Sequence, residues 1–262
     1  MVRVAIDIRK TVEENAAHYF EQGKKAKRKL AGIDAALERF RTELALLDSK
    51  RQQALEQAAH QTAKTARKKE WYEKFHWFLS SEGFLCIGGR DATTNDIVVK
   101  KRTDKNDLVF HTESPGSPFF IVKTQGKQPG DATIAEAAQA TASYSRQWKS
   151  GRATADVYWI LPEQVSKQAP TGESIGRGAF MIYGKRNYHY PRIESAVGLL
   201  PDGRVMGGPV TAVKKNCAEY VKVIPGDDKT AAAAKKIAKK IHTEDIDAIV
   251  AALPAGGVRL TT

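Results

Sequence analysis

The sequence has few of the features that mark secreted, disulfide-rich or membrane proteins. Its only cysteines, Cys86 and Cys217, lie far apart in strand-like apolar runs, so we interpret them as buried apolar side chains rather than a disulfide framework. No apolar run approaches the ~20 residues that a membrane-spanning helix needs. Arg3 and Asp7 interrupt the apolar residues at the N-terminus, which argues against a secretory signal. These absences predict a cytoplasmic protein that does not enter a membrane.

The sequence also lacks the short motifs that carry familiar chemistry. It contains no GxxxxGKS/T phosphate loop, no CxxC pair and no GxSxG elbow. The best candidate for hidden chemistry is His111, because Asp107 and Glu113 have the spacing that places all three on one side of a strand. One histidine with two carboxylates is compatible with iron or manganese, and general acid–base work is a second alternative.

Such spacing arises freely from strand alternation, and no second histidine cluster supports a metal site. A structural or RNA-contacting His111 is therefore the preferred interpretation. We assign no catalytic residue, no metal ligand and no cofactor, and we predict that the chain is not an enzyme.

The charge balance favours a polyanionic partner. The 262 residues include 42 Lys and Arg against 30 Asp and Glu, a net charge of +12. Lys and Arg that neutralise phosphates release condensed counterions, which drives binding to nucleic acid. Many cytoplasmic proteins are merely basic, but here residues 1–80 hold 17 basic and 11 acidic residues, half of the excess. This concentration favours a polyanionic partner over a protein that is merely basic.

The first part of the chain has the apolar pattern of a helical arm. From Val12 to Leu47 the apolar positions recur in alternating steps of four and three, which is typical of a coiled-coil seam. After Asp48 and Ser49 the register changes, and a second helix-compatible stretch runs to about Ser80. The pattern predicts an antiparallel helical hairpin, with a single long helix as the alternative.

A cationic cluster lies beside this seam. No acidic residue occurs between Gln22 and Ile33, so the cations there are poorly compensated within the helix. A solvated face is the alternative interpretation. We favour phosphate contact for the residues Lys24, Lys25, Lys27 and Arg28.

The rest of the chain predicts a mixed domain. An aromatic segment at 71–78 is predicted to be helical, with Trp71, Phe75 and Phe78 on one face for core packing. A helix is predicted from a capping box at Thr133 and Glu136 to Trp148, with Gly151 as its stop. Strands are predicted at 84–89, 96–101, 107–111, 118–123, 156–161 and 179–183.

These elements predict an α+β fold in which a compact mixed domain follows a long helical coiled-coil arm. The predicted boundaries are 1–69 for the arm, 70–190 for the mixed domain and 191–262 for a C-terminal extension. The extension is predicted to hold a hairpin around Pro201-Asp202-Gly203 and a lysine-rich helix from Ala231 to Ile241, which is either solvated or a second RNA contact.

The order of several segments resembles the RNA-binding (R) domain of the NFACT family, which includes the NEMF-type proteins of archaea and eukaryotes. The resemblance covers roughly residues 70–190, and the arm and tail resemble the family's middle coiled coil and archaeal C-terminal extension. It rests on the runs EWYEKFHWFLSSEGFLCIGGRDATTNDIVVKK, DLVFHTESPGSPFFIVKT, TIAEAAQATASYSRQW, VYWILPEQVSKQAPTGE and GAFMIYGKRNYHY.

The resemblance implies a role in ribosome-associated quality control. Members of the family bind the large ribosomal subunit carrying stalled peptidyl-tRNA, hold tRNA and can support untemplated extension of the nascent chain. The family's N-terminal NFACT domain and helix-hairpin-helix module are not recognised in this sequence, so tailing is not assigned. We expect a stand-alone R protein or one half of a split pair. The alternatives are a protein-interaction module that completes a split NFACT protein and an RNA-processing enzyme that uses His111.

Within the resembling domain, the candidate RNA contacts are cations beside irregular backbone. Asp91 is expected to orient its neighbour or to accept a hydrogen bond from RNA; capping of a turn by Asp91 and Asn95 is the alternative. The resemblance implies a phosphate or main-chain contact for Lys167, and a merely exposed lysine is the alternative. Such contacts favour recognition of RNA shape rather than sequence. The candidates are Arg90, Asp91, Lys100, Lys101, Arg102, His111, Lys167, Lys185 and Arg186.

Overall fold

A computed structural model describes residues 3–63, 69–168 and 175–261 of the chain. The chain divides into two compact units, Met1–Lys68 and Lys69–Thr262. No helix in the described ranges has the length and apolar character needed to cross a bilayer. Cys86 and Cys217 are both free and buried, as the sequence predicts, and burial raises the pKa of Cys217 to about 11.

The first unit contains one long helix, α1 (Val12–Ala63). Its first turn is capped reciprocally: the Thr11 hydroxyl accepts from the Glu14 N–H at 3.3 Å, and the Glu14 carboxylate accepts from the Thr11 N–H at 2.9 Å. The predicted hairpin is wrong, because α1 continues through Asp48 and Ser49 without a break. Neither residue is a strong helix breaker, so the change of apolar register does not interrupt the backbone.

The apolar stripe of α1 lies in solvent. Leu30, Leu37, Phe40 and Leu44 have exposed fractions of 60%, 48%, 53% and 61%. About four turns of unburied apolar seam are typical of a helix that pairs with another helix. The predicted continuation of helix to Ser80 is wrong at its end, where residues 76–79 form a strand, and residues 64–68 lie outside the described residues.

The second unit is built from three antiparallel sheets, five α-helices and one short 3-10 helix (Pro162–Gln164) in its described part. The helices are α2 (Ala92–Lys101), α3 (Asp131–Ser143), α4 (Val210–Asn216), α5 (Thr230–Lys240) and α6 (Ile246–Ala252). The strands are β1 (His76–Leu79), β2 (Leu85–Gly88), β3 (Leu108–Thr112), β4 (Phe120–Lys123), β5 (Val157–Ile160), β6 (Val165–Ser166), β7 (Met181–Ile182), β8 (Asn187–His189), β9 (Ser195–Leu199), β10 (Val205–Gly208), β11 (Glu219–Asp228) and β12 (Val258–Thr261).

The larger sheet has the strand order β1-β2-β4-β3-β5-β8, and a four-stranded sheet has the order β10-β9-β11-β12. The short strands β6 and β7 pair with each other. Both larger sheets contribute to one buried apolar cluster. The predicted hairpin at Pro201-Asp202-Gly203 is confirmed, since β9 and β10 pair across it and Gly203 has a φ of +83°. The predicted lysine-rich helix is α5.

The prediction of a strand at 96–101 is wrong, because these residues form most of α2. The carboxylate of Asp91 accepts from the Thr94 N–H at 2.7 Å, and the Thr94 hydroxyl accepts in return from the Asp91 N–H at 2.9 Å. This capping box starts the helix. β-branched residues such as Val98 favour a strand by propensity, but burial of Val98 in the core stabilises the helical alternative.

The prediction of a helix at 71–78 is also wrong. Residues 71–75 form turns that lead directly into β1. Core packing is nevertheless found for Phe75 and Phe78, both 0% exposed, whereas Trp71 is 39% exposed. Aromatic side chains favour buried strands as well as buried helix faces, so their density alone did not distinguish the two.

The helix α3 has a different cap from the predicted one. Thr133 and Glu136 are both buried within the helix, and the Glu82 carboxylate accepts instead from the N–H groups of Gly130 at 3.2 Å and Thr133 at 3.0 Å. The helix ends at Ser143 rather than Trp148. The packed face of α3 lies on β3, β4 and β5, and its C-terminal end leads into the site described next.

Candidate nucleic-acid interface

A cleft of about 760 Å³ opens where the N-terminus of α2, the β3–β4 loop and residues 177–182 meet. Polar and aromatic side chains alternate along its walls. Four arginines line it: Arg90, Arg146, Arg177 and Arg186. The carboxylates are Asp91 and Glu113, and the rings are His111, Phe119, Tyr144, Tyr158 and Phe180.

The floor of the cleft depends on Gly89 and Asn95. The buried amide of Asn95 accepts from the Phe119 N–H at 3.0 Å, which ties α2 to the start of β4. A Cβ atom at Gly89 would lie 2.0 Å from the Asn95 side-chain oxygen, so only glycine fits this approach. Gly89 therefore serves close packing of α2 against the sheet.

Arg90 is anchored on one side and open to the cleft on the other. Its Nη2 donates to the carbonyl of Phe75 at 3.0 Å, and partial burial lowers the pKa of its guanidinium. Asp91 is the N-cap residue of α2, and the backbone and side-chain hydrogen bonds from Thr94 lower the pKa of its carboxyl group. The contacts of Asp91 therefore fit the alternative interpretation, in which it acts as a cap and not as an RNA contact.

His111 lies half-buried in the wall of the cleft. Its Nδ1 is 2.7 Å from the carbonyl of Thr112, and its ring centroid is 4.3 Å from that of Phe119. Burial lowers the pKa of His111 to about 4. The ring is therefore neutral near pH 7 and contributes a surface for contact rather than a charge.

The suspected alignment of Asp107, His111 and Glu113 does not form. Asp107 is fully buried and binds Lys123 and the N–H of Thr124, outside the cleft. In the described ranges no three His, Cys, Asp or Glu residues converge closely enough to hold a metal ion. The carboxylate of Asp107 is thus occupied by a structural ion pair.

Glu113 and Arg186 form the polar network of one wall. Arg186 Nη1 donates to both carboxylate oxygens of Glu113 at 2.7 and 2.8 Å, and the Tyr188 hydroxyl donates to the same carboxylate at 2.9 Å. These hydrogen bonds lower the pKa of Glu113. The Arg186 guanidinium also lies 4.8 Å from the ring centre of Tyr158, a cation–π contact.

Arg146 and Arg177 are two cleft residues that the sequence analysis missed. Both are exposed, and neither has an ion-pair partner among the described residues. Arg146 packs across Gly116, whose φ is +92°, and Arg177 precedes Gly178, whose φ is +77°. For Arg177, the sequence signal that could have identified it was its position between two glycines, Gly176 and Gly178.

Two of the predicted RNA contacts, Lys100 and Lys167, pair with Asp96 and do not line the cleft. The Asp96 carboxylate pairs with Lys100 at 3.3 Å and with Lys167 at 3.4 Å. Lys167 also donates to the carbonyls of Gly176 and Ala179 at 2.8 Å each. Lys167 is therefore neither a free cation nor merely exposed: it holds the loop that carries Arg177.

The remaining predicted cations lie elsewhere. Arg102 lies 4.5 Å above the ring centre of Trp71. Lys101 and Lys185 are exposed but do not line the cleft. The residues Lys24, Lys25, Lys27 and Arg28 are exposed on α1 in the first unit. The turn-rich segment at 169–172 that follows Lys167 falls outside the described residues.

Comparison with known families decides the affiliation. The profile described as "NFACT protein RNA binding domain" matches residues 74–184, the stretch that contains every residue lining the cleft except Arg186. The chain belongs to the NFACT family. A second NFACT profile, "NFACT N-terminal and middle domains", matches residues 1–74. The expectation that the N-terminal NFACT part is absent is therefore partly wrong, because the arm itself matches that profile.

The relatives that this chain matches in sequence are longer proteins. An "Archaeal Rqc2 homolog aRqcH" of Methanocaldococcus jannaschii is 39% identical over 98% of the chain and 40% of its own length. The "Ribosome quality control complex subunit NEMF" of Homo sapiens is 36% identical over 68% of the chain and 16% of its own length. A Drosophila melanogaster NEMF homolog is 35% identical over 75% of the chain and 20% of its own length. The chain thus spans less than half the length of these NFACT relatives.

Proposed function

We propose that this chain binds RNA of the large ribosomal subunit or its tRNAs during ribosome-associated quality control in the cytoplasm. The observation that carries the proposal is the arginine-lined cleft in the part that matches the RNA-binding NFACT domain. Its relatives named Rqc2 or NEMF are ribosome quality control proteins, and the chain shares only part of their length.

The electrostatics of the cleft support an anionic ligand. Of its two carboxylates, Asp91 caps α2 and Glu113 is bound by Arg186 and Tyr188. Arg146 and Arg177 are left without a carboxylate partner among the described residues. Arginine presents its donors in a planar fork that matches phosphate oxygens. The cleft therefore offers uncompensated cations where phosphates are accessible.

We further propose that the chain acts by binding and not by catalysis. His111 is neutral near pH 7 and lies against Phe119 and the Thr112 carbonyl, which suits a contact residue. An enzyme that relies on His111 would lose its reaction in His111→Ala. Retention of every RNA-dependent activity in that variant would support the binding role.

The proposal is tested by binding tRNA and large subunits at several salt concentrations. A ligand with about six neutralised phosphates should lose roughly a thousandfold in affinity between about 50 and 200 mM salt. The double variant Arg146→Ala/Arg177→Ala should bind more weakly with a shallower salt slope. Arg259→Ala is the matched control, because Arg259 lies on β12 in the other sheet. Affinity that is independent of salt, or equal in the double variant and the control, would contradict the proposal.

A second candidate function is recruitment of a helical partner through α1. The exposed stripe of Leu30, Leu37, Phe40 and Leu44 favours pairing with a complementary helix from a separate NFACT N-terminal protein. The test is to mix the two purified chains in nuclease-treated buffer. A stable complex that Leu37→Glu disrupts supports recruitment, and the absence of a complex removes this candidate.

A further inference from the structure

The size of the cleft restricts what part of an RNA can enter it. Its volume of about 760 Å³ is typical of pockets for small molecules. A paired helix presents its backbone and shallow groove over a much wider surface, whereas unpaired bases can be splayed out and stacked on protein rings. A cleft of this volume has room for an unpaired nucleotide but not for a paired helix.

Two rings that line the cleft, those of His111 and Phe180, pack against the buried side chain of Phe119. Phe119 is 2% exposed, with the His111 ring 4.3 Å away on one side and the Phe180 ring 5.2 Å away in an edge-on contact. His111 and Phe180 are both half-buried and both line the cleft. Two partly accessible rings on a rigid support are suited to stacking against a base.

The position of Phe180 is fixed by further contacts. The ammonium group of Lys167 lies 4.7 Å from the ring centre, and the same group donates to the carbonyl of Ala179 at 2.8 Å. The N–H of Gly178 donates to Asp96 at 2.9 Å, which attaches the loop to α2. Phe180 is therefore placed before any ligand binds, which limits the entropy lost on binding.

The cations are distributed on two different wall segments. Arg146 lies across Gly116 of the β3–β4 loop, and Arg177 belongs to the loop that packs against Ala92 through Gly178. A phosphodiester strand that places one nucleotide between these walls carries a phosphate on each side of it. The arrangement thus matches a strand passing through the cleft and not only a single free anion.

We infer that the cleft takes one unpaired nucleotide of an RNA strand, with its base against Phe180 and His111 and its flanking phosphates at Arg146 and Arg177. This inference rests on the proposed RNA-binding function and adds the class of RNA that the cleft selects. Stacking supplies preference for a single strand and little preference for base identity.

The experiment uses a short single-stranded RNA that carries one 2-aminopurine and the same strand annealed to its complement, with the full chain. The single strand should bind at least tenfold more tightly than the duplex, and its fluorescence should be quenched by ring contact. Phe180→Leu keeps an apolar side chain but removes the ring, so single-strand affinity should fall roughly tenfold and quenching should be lost. Lys127→Ala is the control, an exposed cation beyond the opposite end of β4.

Because Phe180 also packs on Phe119, a second variant separates binding from folding. Arg177→Ala changes an exposed side chain and should weaken the single strand more than the duplex. Equal affinity for both RNAs, with binding and fluorescence unchanged by Phe180→Leu, would overturn the inference. The proposed function would still stand in that case if Arg177→Ala weakened both RNAs alike. Failure of the unmodified chain to bind either RNA, tRNA or large subunits would overturn both.

Discussion

Arg186 binds both carboxylate oxygens of Glu113 through one nitrogen, at 2.7 and 2.8 Å, across 73 positions of sequence. The pair joins the start of β8 to the end of β3 at the mouth of the cleft. It also lowers the local positive charge, because one of the four arginines of the lining is neutralised before any RNA arrives.

This pair predicts a gain of affinity on neutralising Glu113. Glu113→Gln preserves the shape of the side chain but removes its negative charge and one of its two acceptor oxygens. RNA should therefore bind a few-fold more tightly, in keeping with the energy of an exposed pair. The salt slope should steepen by up to about 0.7, the contribution of one further single-strand phosphate. Fluorescence anisotropy across a salt series measures both. A fall in affinity would instead mean that Glu113 itself contacts RNA.

A second prediction concerns the buried pair of Asp107 and Lys123. Their side chains are 1% and 10% exposed, and Asp107 also accepts from the Thr124 N–H at 2.9 Å. Asp107→Ala removes the buried carboxylate partner of Lys123, which keeps its contacts with Asp104 at 2.6 Å and the Arg102 carbonyl at 2.7 Å, and should cost about 3 kcal/mol in the free energy of unfolding. Asp104→Ala, at an 83% exposed side chain, should cost far less.

The same variants test the interpretation of Asp107 as structural. Manganese or iron added to the unmodified chain should leave its melting temperature unchanged. A metal-dependent rise that Asp107→Ala abolishes would restore the rejected metal site.

A third prediction concerns the anchor of the arginine loop. Asp96 accepts from the Gly178 N–H and from Lys167, and hydrogen bonds to charged groups contribute about 1.5–3 kcal/mol each. Asp96→Ala should release the loop, so trypsin should cleave after Arg177 roughly tenfold faster. Lys100→Ala is the control, because it removes an Asp96 partner that does not touch the loop. Equal cleavage rates in both variants would show that Asp96 does not anchor Arg177.

A fourth prediction is a loss of stability in mild acid. Burial lowers the pKa of His111 to about 4 and that of His76 to about 3, against about 6.5 in the unfolded chain. The unfolded state therefore binds more protons below about pH 6.5, so stability is complete above that value and declines as the pH falls towards about 4. Melting temperatures from pH 8 to 4 should follow this course.

The contribution of each histidine is separable by substitution. His111→Gln and His76→Gln remove one proton site each and should flatten the decline. His242→Gln should not change it, since this side chain is 75% exposed. An unchanged acid profile in both buried-site variants would assign the decline to carboxyl groups.

Local signals in the sequence predicted several features correctly. The alternating spacing of apolar residues from Val12 to Leu47 correctly predicted helix over this range, and short apolar runs located β2, β3, β4 and β5 within a residue or two. Asp91 before Thr94 carried a helix-start signal, but the β-branched residues that follow favoured a strand. Whether this segment forms a helix or a strand depends on the packing of Val98 in the core, which involves residues distant in sequence.

The sequence by itself determined the α+β class, the basic arm, the burial of both cysteines and the affiliation with the NFACT family, because these follow from periodicity, composition and motif order. Only the tertiary structure decided which cations share a site. In sequence, Arg146 lies 56 positions after Arg90, Arg177 a further 31, and Arg186 a further 9. All four line one cleft, because long-range packing of α2 and α3 against the sheet places their loops together. Charge compensation is equally non-local, which is why Lys167 pairs with Asp96 while Arg177 has no ion-pair partner among the residues that the structure describes.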